Sequence, residues 1–196
     1  QNRRNFLKSA SAALLPAAND RINVALIGVG WQGGNNVKSI LAEPDAQLVA
    51  VCDVDAEHLA AAADEVNQKY GNRDCRTYHE FEEVLARRDI DAVVLSVPDH
   101  WHGIVSIRAA QAGKDIYGEK PLAQNWAEAS AICQAVKRYG TVWQTGSWQR
   151  SVAQFRRACE LVRNGRIGAV RRIEVGLPGD LTDFDGLGHL DSPVEV

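Results

Sequence analysis

Between residues 22 and 145 the apolar positions fall in short continuous runs, and these runs alternate with segments in which apolar residues recur at helical spacing. The apolar runs Ile22 to Ile27, Gln47 to Cys52 and Asp91 to Val97 read as strands, as do the shorter segments Arg76 to Tyr78, Asp115 to Gly118 and Thr141 to Thr145. Helices are expected over Asn35 to Ala42, Ala56 to Tyr70, Phe81 to Arg87, Gly103 to Ala112, Trp126 to Tyr139 and Val152 to Asn164. Three of these stop at glycines, Gly113, Gly140 and Gly165, as left-handed caps commonly do. Pro98 ends the fourth strand, because it cannot donate to a ladder and holds its predecessor extended. Strands that alternate regularly with helices specify a parallel sheet covered on both faces, so the fold class is α/β, a doubly wound Rossmann-type sheet.

The chemistry lies in the loops that this order gathers on one edge. Right-handed crossovers bring the carboxyl ends of all the parallel strands together. The first strand runs directly into Gly28-Val29-Gly30-Trp31-Gln32-Gly33, a G-x-G-x-x-G loop followed by a helix. Such a loop lets backbone amides approach a pyrophosphate and places a helix N-terminus against the anion. The second strand ends at Asp53, about 20 residues beyond the last glycine, where a carboxylate can accept from a ribose diol and would repel a 2′-phosphate. No arginine follows Asp53, so NAD is favoured over NADP as the cofactor. Pro98, His100, Trp101 and His102 occupy the loop after the fourth strand, and Glu119-Lys120-Pro121 that after the fifth. Gln149 and Arg150 follow the sixth. All of these are assigned to the nicotinamide side of the cofactor, Trp101 through packing on a ring face. Lys120 is the candidate proton-transfer group, since an amine becomes a base for an alcohol when burial or a nearby positive charge favours its neutral form. Glu119 is placed to hold it. His102, at a helix start, is either a second catalytic contact to ribose or substrate or a helix cap.

Composition narrows the partners. With 196 residues and a net charge of -3, the chain can bury one proper core, and it has no basic block with interleaved aromatics of the kind that binds nucleic acid. No apolar run approaches the roughly 20 residues that span a bilayer, so no membrane partner is expected. Cys52, Cys75, Cys133 and Cys159 form no C-x-x-C pair, and the histidines show no metal-ligand spacing, so no metal is expected. Residues 1–20 form a separate leader. Arg3-Arg4-Asn5-Phe6-Leu7-Lys8 resembles the twin-arginine export motif, and the small-residue run Ser9 to Ala18 suits the segment that follows it, which implies an exported, extracytoplasmic protein.

The segments Val24 to Gly30, Val97 to His102 and Ala112 to Ala123 occur in the order and at the separations of the Gfo/Idh/MocA oxidoreductases, and residues 21–175 resemble that family. The resemblance implies an NAD-dependent oxidoreductase acting on a sugar or cyclitol hydroxyl, with Lys120 as the catalytic or substrate-orienting lysine. It also implies that Asp53 and the Pro98-to-His102 segment contact NAD, and that the full-length protein is a homo-oligomer. Some members are NAD-dependent glycosidases working by transient oxidation and elimination, which is the second functional expectation. A third is a non-catalytic NAD-binding module. Residues 21–150 form the cofactor domain in this reading, and 151–196 hold a connecting helix and the start of a substrate domain, whose first strand is Val170 to Val175. Asp185-Gly186-Leu187-Gly188-His189 has the bare spacing of the family's Asp-x-x-x-His pair, but its two glycines favour an irregular loop.

Overall fold

The structure, a computed structural model, describes residues 21–175. The twin-arginine-like leader and the Asp185-to-His189 spacing both lie outside the described residues. Six strands, β1 (Ile22–Ile27), β2 (Ala46–Cys52), β3 (Arg76–Tyr78), β4 (Ala92–Leu95), β5 (Asp115–Gly118) and β6 (Trp143–Thr145), pair in the order β3-β2-β1-β4-β5-β6. Every pairing is parallel. Strand order reverses at β1, which opens the crevice between the ends of β1 and β4.

Alternate residues of the buried strands face opposite layers. Ala25, Ile27, Val93, Leu95 and Ile116 meet α3 (Phe81–Ala86), α4 (His102–Gln111) and α5 (Trp126–Tyr139) on one face. On the other, Val24, Leu26, Leu48, Val51 and Val94 meet Val37 of α1 (Trp31–Leu41) and Leu59, Ala62 and Val66 of α2 (Ala56–Tyr70). The register of β2 against β1 jumps from Val24–Leu48 to Ala25–Ala50, a bulge at Val49. Because one residue of slip inverts every later side chain, the bulge decides which way the end of β2 faces, including Asp53.

Helix ends are capped by local chemistry. The Asp55 side chain accepts from the amides of Glu57 (2.8 Å) and His58 (3.0 Å) at the start of α2, and these bonds hold its carboxyl below the usual carboxylate range. Asn125 caps α5 by accepting from the Glu128 amide, while Glu128 reaches back to the Gln124 amide and the Asn125 side chain.

Several elements differ from the sequence reading. Helix α1 begins at Trp31 instead of Asn35, because the weak helix formers Gly33 and Gly34 are carried in its first turn by packing. A 3₁₀ turn, Asp99–Trp101, precedes α4. Val170 to Val175 is not a strand, since a ladder requires a neighbour and none pairs with it among the described residues.

The chain divides into two compact units, one ending at Trp148 and the other starting at Gln149. Within the second, Val152 is the N-cap of α7 (Ala153–Arg163), which carries an Arg156–Glu160 ion pair at 3.1 Å and buries none of its residues. A short helix, α6 (Trp148–Ser151), lies at the division.

At the amino-end edge of the sheet, Lys114 is buried and its Nζ donates to the carbonyls of Arg87 (2.6 Å) and Ile90 (2.8 Å), tying the end of α3 to the start of β5. Desolvation lowers its pKa, partly offset by Asp89 and Asp91. Lys114→Met leaves two buried acceptors without donors and should cost about 2 kcal/mol in urea unfolding. Dinucleotide affinity should be unchanged, because the opposite edge is untouched.

Candidate cofactor and active site

The ladder continues beyond the strands at the carboxyl edge. Gly28 N–H donates to Cys52 O (2.8 Å), Ser96 N–H to Ile27 O (2.9 Å), Glu119 N–H to Leu95 O (2.9 Å) and Gly146 N–H to Gly118 O (2.6 Å). Gly28, Ser96, Glu119 and Gly146 therefore stand in one row across four strand ends. Whatever binds along this row meets the glycine loop first and the lysine turn two strands later.

The glycine loop is close-packed. Gly28 has φ +84°, and a Cβ there would overlap the Ser96 carbonyl, while a Cβ on Gly33 would overlap the Gly28 carbonyl oxygen. Gly30 is the N-cap of α1, whose first turn holds no acidic residue, so the helix N-terminus meets an anion without competition. The Asp53 carboxylate fastens the loop: Oδ2 accepts from the Val29 amide at 2.7 Å and Oδ1 from the Asp55 amide at 2.9 Å. An ionised carboxylate has about four acceptor positions, so two bonds leave capacity for a ribose diol. These features fit a dinucleotide, with Gly28 to Gly33 for the pyrophosphate and Asp53 for the adenosine ribose. Trp31, also assigned to the cofactor, stands at the helix start with 92% of its surface exposed.

Beyond β5, Glu119 is buried and Lys120 exposed. Glu119 Oε1 accepts from Asn36 Nδ2 at 3.0 Å and from Gln32 Nε2 at 3.4 Å, and Asn36 Nδ2 also reaches Ser96 Oγ at 2.8 Å. This corrects the sequence reading, in which Glu119 holds Lys120. The carboxylate turns to α1 because its neighbours there, four residues apart on one helix face, offer side-chain amides. Gln32 was assigned to the cofactor, while Asn36 and Ser96 were missed; with α1 starting at Asn35, Gln32 and Asn36 do not share a helix face. The Lys120–Pro121 peptide is cis.

His102 is also corrected. It is 1% exposed, and its Nε2 lies 2.9 Å from the Val97 carbonyl, so this ring nitrogen carries the proton and donates. A side chain turned into the layer beneath α4 cannot touch a substrate; it holds the Val97–Pro98 loop instead. Pro98, His100 and Trp101 are exposed at the end of β4, with Trp101 packed edge-on against Phe81 at 6.3 Å between ring centroids. Gln149 and Arg150 are exposed in α6 and belong to the second unit. Burial pushes the Cys52 thiol, just before Asp53, up to about 12, so it is no nucleophile.

Residues 22–147 match the oxidoreductase family with the NAD-binding Rossmann fold, Gfo/Idh/MocA. The chain belongs to this family. Within it, the chain is 32% identical over 149 residues to the scyllo-inositol 2-dehydrogenase (NAD(+)) of Bacillus subtilis (strain 168), covering 76% of this chain and 42% of that protein. It is 36% identical over 121 residues to glycosyl hydrolase family 109 protein 2 of Shewanella sp. (strain ANA-3), covering 59% and 26%. The crystal structure of a scyllo-inositol dehydrogenase from Lactobacillus casei with bound NAD(H) and scyllo-inositol superposes with a TM-score of 0.67 at 25% identity, over 76% of this chain and 42% of that one. The chain spans less than half the length of these Gfo/Idh/MocA relatives.

Proposed function

We propose that the protein is an NAD-dependent oxidoreductase that oxidises a hydroxyl of a sugar or cyclitol. The observation that carries this reading is the row at the carboxyl edge, where the glycine cradle and Asp53 stand at β1 and β2 and the lysine turn at β5. Bound NAD supplies the hydride acceptor. The chain's own residues do the rest. Gly28 to Gly33 and the α1 N-terminus bind the pyrophosphate, and Asp53 fixes the ribose while holding the loop through Val29. Lys120 takes the hydroxyl proton as the carbon–hydrogen bond breaks, and the inositol dehydrogenase relatives support a polyol as the group oxidised. Export through a twin-arginine leader is part of the same proposal and rests on the Arg3-to-Lys8 motif and the small-residue run Ser9 to Ala18.

The Shewanella relative favours a second reading, in which oxidation is transient and the net reaction is glycoside hydrolysis. One assay separates the two. The protein is incubated with NAD and inositols, and in parallel with aryl glycosides, while absorbance of reduced nicotinamide is followed. Net reduction with inositols supports the first reading; release of the aryl group without net reduction supports the second. Failure of NAD to bind removes both.

A further inference from the structure

Glu119 is a buried carboxylate held only by neutral amides. Both of its donors, from Gln32 and Asn36, converge on Oε1. The ion pairs among the described residues are His58–Asp55, Arg87–Asp89, Arg156–Glu160 and Arg172–Glu174, none of which involves Glu119. Hydrogen bonds from amides satisfy lone pairs but do not compensate the charge, and taking an uncompensated charge out of water is costly.

The second oxygen, Oε2, has no donor among the described residues. It lies against Gly146, where a Cβ would sit 2.9 Å from it. The lack of a side chain at 146 thus leaves this oxygen uncovered at the row of strand ends. Glu119 also lines a cavity of about 630 Å³ that extends along α1 from Gln32 and Asn36 to Ile40 and Glu43 and is lined as well by Tyr117 and Trp148. Burial, followed by the Glu119 charge, raises the pKa of the Tyr117 phenol, a group that carries no positive charge in either state and so does not compensate the carboxylate. The carboxylate is thus satisfied at one oxygen only, two strands from the glycine loop and bonded to Gln32 of that loop.

The dinucleotide has one part whose charge changes in the reaction, the nicotinamide ring, which is cationic when oxidised and neutral when reduced. We infer that Glu119 is the anionic partner of the oxidised ring, its Oε2 biasing the site toward NAD⁺ over NADH. The inference rests on the proposed NAD-dependent function. Gln32 and Asn36 hold the carboxylate in place, and Gly146 keeps its free oxygen open.

Calorimetric titration of the protein with NAD⁺, NADH and ADP-ribose, which lacks the nicotinamide, tests this. The unsubstituted protein should bind NAD⁺ more tightly than NADH. In Glu119→Gln, which keeps the shape and removes the charge, NAD⁺ should weaken roughly tenfold, about 1.4 kcal/mol, with NADH and ADP-ribose changed less than about twofold. Glu119→Asp, which keeps the charge, should retain a preference for NAD⁺. An unaltered NAD⁺-to-NADH ratio in Glu119→Gln overturns the inference, as does a parallel loss for all three ligands. If that variant does not fold, the unsubstituted protein still decides, because equal or tighter binding of NADH overturns the inference as well. Binding of ADP-ribose without any dependence of the ratio on residue 119 defeats the inference and leaves the dinucleotide site standing, whereas failure of every ligand to bind defeats the proposed function too.

Discussion

Gly33→Ala is expected to weaken dinucleotide binding severely and to destabilise the fold together. The new Cβ would overlap the Gly28 carbonyl oxygen, a backbone atom that cannot rotate away. Gly28 is itself pinned by its amide bond to Cys52 O at 2.8 Å, so β1 and α1 must move apart. Overpacking of this kind costs about 1–3 kcal/mol. Separation of helix from strand also withdraws the α1 N-terminus from the pyrophosphate, and NAD affinity should fall roughly a hundredfold, about 2.7 kcal/mol. Gly34→Ala is the control. A Cβ at Gly34 meets only the Val29 carbonyl at 3.8 Å, and the change should slightly stabilise α1 by raising helix propensity. Urea unfolding and NAD titration on both variants check the pair, and equal behaviour would refute the packing argument.

β1, β2 and β4 were legible because parallel strands buried on both faces read as continuous apolar runs, whereas the edge strands β3 and β6 bury no residue and carry a weaker signal. β1 and β5 were placed to the residue, whereas β4 came out shorter than the apolar run that signalled it. The bulge at Val49 left no mark in the sequence, since a run of apolar residues looks the same in either register, yet it governs the direction of Asp53. The start of α1 was misread for an energetic reason: propensity argues against Gly33 and Gly34 in a helix, and contact with Gly28 overrides it. That error hid Asn36. His102 shows a different limit. A motif places a residue at a helix start but not on a face of that helix, and His102 opens α4 directly after the 3₁₀ turn Asp99–Trp101 with its side chain buried. Lys114 was passed over because a lysine beside a strand reads as surface, and only the tertiary fold supplies its two carbonyl partners.

Lys120→Ala should separate chemistry from architecture in a way no other change in the Glu119-Lys120-Pro121 turn can. Lys120 is exposed and, among the described residues, forms no ion pair and donates no side-chain hydrogen bond. Nothing in the described structure depends on its side chain, so the thermal midpoint and NAD affinity should stay within error of the unsubstituted protein. Turnover on the substrate found by the assay above should fall by about 10²–10⁴, the contribution of a positioned proton-transfer group. The loss should appear in kcat with KM little changed, because an interaction made only as the proton moves does not contribute to ground-state binding. Glu119→Gln is expected to do the reverse, altering the preference between cofactor forms through a buried network. If Lys120→Ala retained full turnover, the lysine would be only the exposed end of a structural turn, and the proton acceptor would have to be sought outside the row of strand ends.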